Sequence, residues 1–193
     1  MHATEAALLS PAERAQIWRE SVKGLPRTPP LSDEAISREQ LYSSRGYMSI
    51  LVDTNVLLRR TQPDHEHHLV AVESVAVLLG KGETLHFTLQ NVSEFWNVAT
   101  RPLESNGLGF SIDLTLSEVE KIERVLTLLP DTPAIYPVSK RLVAQHSVRG
   151  AKVHATRLVA AMNVHSVRSL LTFNSDDFVR FGIEVLHPTS VGP

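Results

Sequence analysis

Residues 49–55 read Ser-Ile-Leu-Val-Asp-Thr-Asn, a short apolar run that turns polar without a break. An uninterrupted apolar run of this length is the pattern of a strand buried on both faces, and two-sided burial belongs to parallel sheets covered by helices. The same grammar recurs downstream. Thr84–Leu89 predicts a second strand, Ala134–Val138 a third, Ser169–Phe173 a fourth and Ile183–Leu186 a fifth. Between them fall helical patterns. One runs over His67–Leu79, with Leu69, Val72, Ala76 and Leu79 on one face. Another covers Asn91–Thr100 and stops before Pro102. A third is entered by a Thr115/Glu118 capping pair and continues to Leu129 before Pro130. Ser139–Val148 and Ala151–His165 follow, the latter with Val153, Leu158, Ala161 and Met162 as core positions, and Asp176–Phe181 is a short helical turn. Alternation of this kind predicts an α/β fold with a mainly parallel five-stranded sheet between helices.

Upstream of Met48 the composition differs. Residues 1–47 hold four of the eleven prolines, at Pro11, Pro26, Pro29 and Pro30. Ser10-Pro11 starts a predicted helix running to about Val22 and ending at Gly24. An extended, proline-containing stretch follows. The apolar residues here, Ile17 and Trp18 among them, are too sparse for a core of their own. The chain thus divides into an arm, 1–47, and a domain, 48–193.

With 42% hydrophobic and 21% charged residues, the 193-residue chain is no disordered polyelectrolyte. Its net charge of -2 is not the broad basic field of a protein that coats nucleic acid phosphates. A nucleic acid would have to be handled at a local site. The absence of cysteine excludes disulfide frameworks, thiolate metal sites and a cysteine nucleophile. No apolar run approaches the roughly 20 residues of a membrane helix, and the first residues lack the pattern of a signal peptide. A cytoplasmic location without membrane partners is the expectation.

In open α/β sheets, ligands gather outside the carboxyl ends of the strands. Two apolar strands end there in polar groups: the first in Asp53-Thr54-Asn55, the fourth in Asn174-Ser175-Asp176-Asp177. Glu94 lies in the first turn of the predicted helix after the second strand. Singly, each has an ordinary role, as a helix cap, a turn residue or a solvated helix face. Together, carboxylates converging on one edge suit a hard cation such as Mg²⁺ or Mn²⁺. The cluster His65-Glu66-His67-His68 sits at a helix start and reads as solvated. His146, His154 and His165 read as isolated histidines on separate helices. Glycine-rich phosphate loops and a Gly-x-Ser-x-Gly elbow are absent. A second aspartate two places after Asp53, as a dehalogenase-type phosphatase would carry, is replaced by Asn55.

The stretches MSILVDTNVLL, QNVSEFWNVATRP, GAKVHATRLVAAM and LLTFNSDDFVRF, in this order, resemble the PIN-domain family. In particular they resemble the VapC-like ribonuclease toxins of bacterial toxin–antitoxin pairs. The resemblance implies a PIN-like α/β/α sandwich and a Mg²⁺- or Mn²⁺-dependent endoribonuclease acting on RNA. Asp53 and Glu94 match its first and second acids. Asn174 and Asp177 match the last polar positions, with Asp177 a further metal ligand. Thr54, Asn55 and Thr172 match positions that steady the site. One position departs: where such toxins read His-Asp-Ala-Arg, this chain reads His154-Ala155-Thr156-Arg157. A methyl group cannot ligate a cation, so weak metal binding and little or no cleavage are expected.

The arm is similar to the C-terminal tail of an antitoxin, placed directly before its toxin. By that resemblance the antitoxin partner is present in cis, with Arg27 and Arg38 as candidates to approach the acidic cluster. The family also implies a homodimer. The alternative is a PIN-fold binding module that no longer cuts and pairs with toxin or antitoxin partners.

Overall fold

The computed structural model describes residues 48–191. The expectations for the arm, including its helix, Arg27 and Arg38, lie outside the described residues. The chain divides into two compact units, residues 1–46 and 47–193, and only the second is described below.

Five strands alternate with six helices in the order β1 (Ser49–Val52), α1 (Thr54–Arg60), α2 (His68–Gly80), β2 (Thr84–Thr88), α3 (Leu89–Thr100), α4 (Ile112–Val125), β3 (Thr127–Leu129), α5 (Ile135–Gln145), α6 (Lys152–Val164), β4 (Ser169–Leu171) and β5 (Glu184–Leu186). The strands form one sheet in the order β3-β2-β1-β4-β5, and every pairing is parallel. From β1 the chain walks outward through β2 to β3. It then crosses back, so that β4 pairs with the other side of β1, Leu51 against Leu170 and Val52 against Leu171. The direction of the walk reverses between β1 and β4. The crevice outside their carboxyl ends is therefore where a doubly wound sheet presents a site.

Period-two alternation sorts the strand residues onto two cores. Ile50, Val52, Leu85, Phe87 and Leu171 face one side with Val56, Leu57, Ala71, Leu78, Phe95 and Ile122, which come from α1 to α4. Leu51, Leu129 and Leu170 face the other with Ile135, Leu142, Leu158 and Met162 from α5 and α6. Ile50, Leu51, Val52, Leu170 and Leu171 are completely buried, which is why these runs carry no polar residue. Among the described residues no helix is long and apolar enough to cross a membrane.

Several sequence expectations are corrected. The third strand is Thr127–Leu129, and the predicted strand at Ala134–Val138 is instead the start of α5. Pro137 is tolerated there because first-turn N–H groups have no partner within the helix. The helix assigned to Thr115–Leu129 begins earlier and ends at Val125. Ser111 is its N-cap, accepting from the Leu114 N–H, while the Thr115 hydroxyl donates back to the Ser111 carbonyl. On α2 the buried face is Ala71, Ser74 and Leu78 rather than the one through Leu69, which is 70% exposed. Both sets have helical spacing, and a helix apolar on nearly all sides does not reveal its inward face by pattern alone. Val153 on α6 is exposed, whereas Leu158, Ala161 and Met162 are buried as expected. The helix α1 after Asp53 was not anticipated. Since α3 starts at Leu89, Glu94 stands in its second turn rather than its first.

A candidate acidic site at the β1–β4 crevice

Asp53 leaves β1 and caps α1, its Oδ1 accepting from the Thr54 N–H at 2.7 Å. Its Oδ2 accepts from Asn55 Nδ2 at 2.9 Å and from the Thr172 hydroxyl at 2.7 Å. Thr172 follows β4, so this contact joins the two strands across the crevice. The same hydroxyl oxygen accepts from Asn55 Nδ2 and from the Asn174 N–H, both at 3.0 Å, and the Phe173 N–H donates to Asn55 Oδ1. Asp53 is thereby a buried carboxylate held by three donors, 7% exposed. Burial is the main reason its pKa is pushed up to about 6. The charges of Glu94 and Asp177 add to the rise, while the Thr172 hydroxyl and Thr54 N–H oppose it.

Glu94 reaches the same crevice from α3. The Thr54 hydroxyl donates to its Oε2 at 2.7 Å, so Thr54 links both carboxylates, its N–H on Asp53 and its hydroxyl on Glu94. Thr54 Oγ1 in turn accepts from Asn91 Nδ2 at 3.1 Å. Asn91 is itself fixed by the α3 capping box, accepting from the Thr88 N–H and hydroxyl. The other Glu94 oxygen accepts from Gln90 Nε2 at 2.7 Å. Gln90 is gripped from α6: Arg157 Nη1 donates to its Oε1 at 3.0 Å, and Gln90 Nε2 also donates to the His154 carbonyl. Arg157 completes the chain with Asp131, Nη2 to Oδ2 at 2.7 Å. Gln90, Asn91 and Arg157 were not assigned site roles from sequence. The signals were present: Gln90 stands one helical turn before Glu94, and Asn91 stands three residues after an N-cap threonine.

The remaining predicted residues diverge. Asn174 is exposed and takes part through its backbone N–H. Asp177 lies within electrostatic reach of Asp53, but its carboxylate pairs with the Lys152 ammonium at 3.3 Å. Ala155, which by the resemblance stands where an acid is expected, lies on α6 and packs against the apolar cluster of that face. His154 and His165 belong to α6 and its C-terminal cap, not to separate helices. A hard divalent cation asks for several oxygen ligands at once. Here one position is a methyl group and another carboxylate already holds an ammonium. Among the described residues no three imidazoles or carboxylates stand close enough to share an ion. The donor set as it stands does not fit a resident Mg²⁺ or Mn²⁺.

No protein-family model matches the sequence, and no curated protein matches it significantly. Solved structures do match the fold. The crystal structure of VapBC2 from Rickettsia felis, bound to a promoter DNA fragment, superposes with a TM-score of 0.54 at 14% identity, covering 72% of this chain and 98% of that one. VapC20 of Mycobacterium tuberculosis, described as a sarcin–ricin loop cleaving toxin, gives 0.55 at 14% identity, over 72% and 99% of the two chains. A toxin–antitoxin complex from Klebsiella pneumoniae gives 0.51 at 16%, over 72% and 97%. The described residues carry the PIN-like α/β/α fold of these toxin structures, with a bridged pair of acids at its switch-point crevice.

Proposed function

We propose that the chain is a toxin-like PIN domain of a toxin–antitoxin pair, built for metal-dependent cleavage of RNA and impaired in that reaction by Ala155. The observation that carries this reading is the Asp53–Thr54–Glu94 bridge at the β1–β4 crevice. Two carboxylates are held at a strand end by hydroxyl and amide donors, on a fold shared with toxin structures. In this reading Asp53, Glu94 and Asp177 are the remnant of a cation site, and Asn55, Thr172 and the Asn174 backbone hold Asp53 in place. Cation affinity is weak in the native chain because Ala155 contributes no charge and Lys152 competes for Asp177. The neighbours that are toxin–antitoxin complexes support an antitoxin partner. Residues 1–47 supply the tail of such a partner in cis, and the domain pairs as a homodimer.

The test restores what is missing. Ala155→Asp is introduced in the full chain and in residues 48–193, and structured RNA is incubated with Mn²⁺. The reading expects cleavage by the Ala155→Asp fragment, loss of that cleavage in the Asp53→Ala/Ala155→Asp double variant, and little turnover by the native chain. A second reading, a binding module without nuclease chemistry, is favoured by the Lys152–Asp177 ion pair. It predicts that the folded Ala155→Asp fragment stays inert toward RNA.

A further inference from the structure

A cavity of about 220 Å³ is lined by Asp131, Thr132, Ile135, Tyr136, Ser139 and Arg157, the last of which is linked to the acidic crevice through Gln90. It lies below the roughly 300–1,000 Å³ of pockets that enclose drug-sized molecules, a size suited to a single planar ring system. Its walls have three features that suit a ligand. The Tyr136 side chain is 72% exposed and offers a stacking surface at the rim. Base–aromatic stacking is a principal source of affinity for unpaired nucleotides. Thr132 lines the cavity, and its Oγ1 is buried without a hydrogen-bond partner, a deficit that rotation toward a seated ligand atom would remove. Arg157 and Asp131 are paired at 2.7 Å with Arg157 Nη1 also on Gln90, which sets the guanidinium's remaining N–H donors beside a carboxylate acceptor.

We propose that this cavity is a purine-base pocket with a preference for guanine, seating one unpaired base of an RNA strand that lies along the acidic crevice. Guanine carries on adjoining positions the acceptors O6 and N7, which a guanidinium reads, and N–H donors, which a carboxylate reads. Adenine lacks O6 and its N1–H, and pyrimidines offer a smaller stacking face. The pocket is wired to the acids: Arg157 holds Gln90, and Gln90 holds Glu94. A base bonded to Arg157 is thus three hydrogen bonds from Glu94. The RNA strand in this proposal rests on the function proposed above, whereas the pocket itself is testable without RNA.

The full native chain, Tyr136→Ala and Thr132→Val are titrated calorimetrically with the 5′-monophosphates of guanosine, adenosine, cytidine and uridine. Separately, fluorescence anisotropy follows binding of labelled single-stranded hexaribonucleotides with and without one guanine. Circular dichroism confirms that each variant is folded; Thr132→Val, being isosteric, keeps the test available if Tyr136→Ala is not. The expected result is tightest binding of guanosine monophosphate, weakened about tenfold by Tyr136→Ala and about threefold by Thr132→Val, with the guanine hexamer following the same order. Equal or absent binding of all four monophosphates, or binding that ignores both substitutions, overturns the pocket. Hexamer binding that is insensitive to both variants overturns the pocket and leaves the RNA reading standing. Monophosphate binding through Tyr136 without any hexamer binding upholds the pocket and sinks the RNA reading.

Discussion

Asp53 concentrates the tension of this fold in one side chain. It is buried with its charge opposed by Glu94 and Asp177, and three donors only partly offset that cost. Its pKa of about 6 lies above the ordinary 3.8, so the folded state binds this proton more tightly than the unfolded chain does. The sign follows by linkage: stability from this group is greatest at acid pH and declines as pH rises from about 4 through about 6. A displacement of roughly two pH units corresponds to about 3 kcal/mol. Asp53→Asn should remove this dependence, so urea unfolding at pH 4.5 and 7.5 should show the native chain losing stability relative to the variant at the higher pH. Thr172 is the counterpart. Its fully buried hydroxyl donates to Asp53 and accepts from Asn55 and Asn174. Thr172→Val should cost about 1–3 kcal/mol in chemical denaturation, and NMR titration should find the Asp53 pKa higher still.

Among the secondary elements, caps decide how the acids are aimed. Glu94 is aimed because α3 starts where it does, and α3 starts at a capping box in which Thr88 and Asn91 satisfy one another. Asn91 then passes that constraint to Thr54, and Thr54 to Glu94. On α4 the capping residue is Ser111, not Thr115. Ser111→Ala should therefore destabilise the domain by about 1 kcal/mol in thermal unfolding, the usual cost of a lost N-cap. The helix α6 carries both Ala155 and Lys152, whose ammonium pairs with Asp177, and in the proposed function these are the two features that weaken the site. Ala155→Asp combined with Lys152→Gln should give a Mn²⁺-dependent rise in Tm, reversed by a chelator and absent from the native chain. A double variant whose Tm ignores Mn²⁺ would show that the crevice cannot be rebuilt into a cation site from α6.

For the described domain, two cores back a single sheet, and the crevice exists only because the strand order reverses between β1 and β4. Phe95, completely buried, packs α3 into the first core. Phe95→Ala should cost about 3–5 kcal/mol of unfolding free energy and loosen Glu94 with it. Among the described residues, the buried members of both cores fall between Ile50 and Phe178, so a fragment of residues 48–193 should unfold in one cooperative transition. Coincidence of its far- and near-ultraviolet circular dichroism melts checks this.

Much of this was legible in the amino-acid order because local physics wrote it there. Runs such as Ile50–Val52 and Leu170–Leu171 announce buried parallel strands by their lack of polar residues, and the polar groups after them, Asp53 and Asn174–Asp177, mark the strand ends. The inward face of α2 was not legible, since Leu69 and Ala71 lie on alternative faces that are both apolar. Nor was the three-residue strand β3, whose pairing to β2 rather than its own composition makes it a strand. The ties of Gln90 to Arg157 and of Asp177 to Lys152 join residues far apart in the chain. Such contacts depend on which strands become neighbours, a choice made by packing of the whole sheet. The order of residues therefore settled which carboxylates stand at strand ends, while tertiary packing settled what each of them holds.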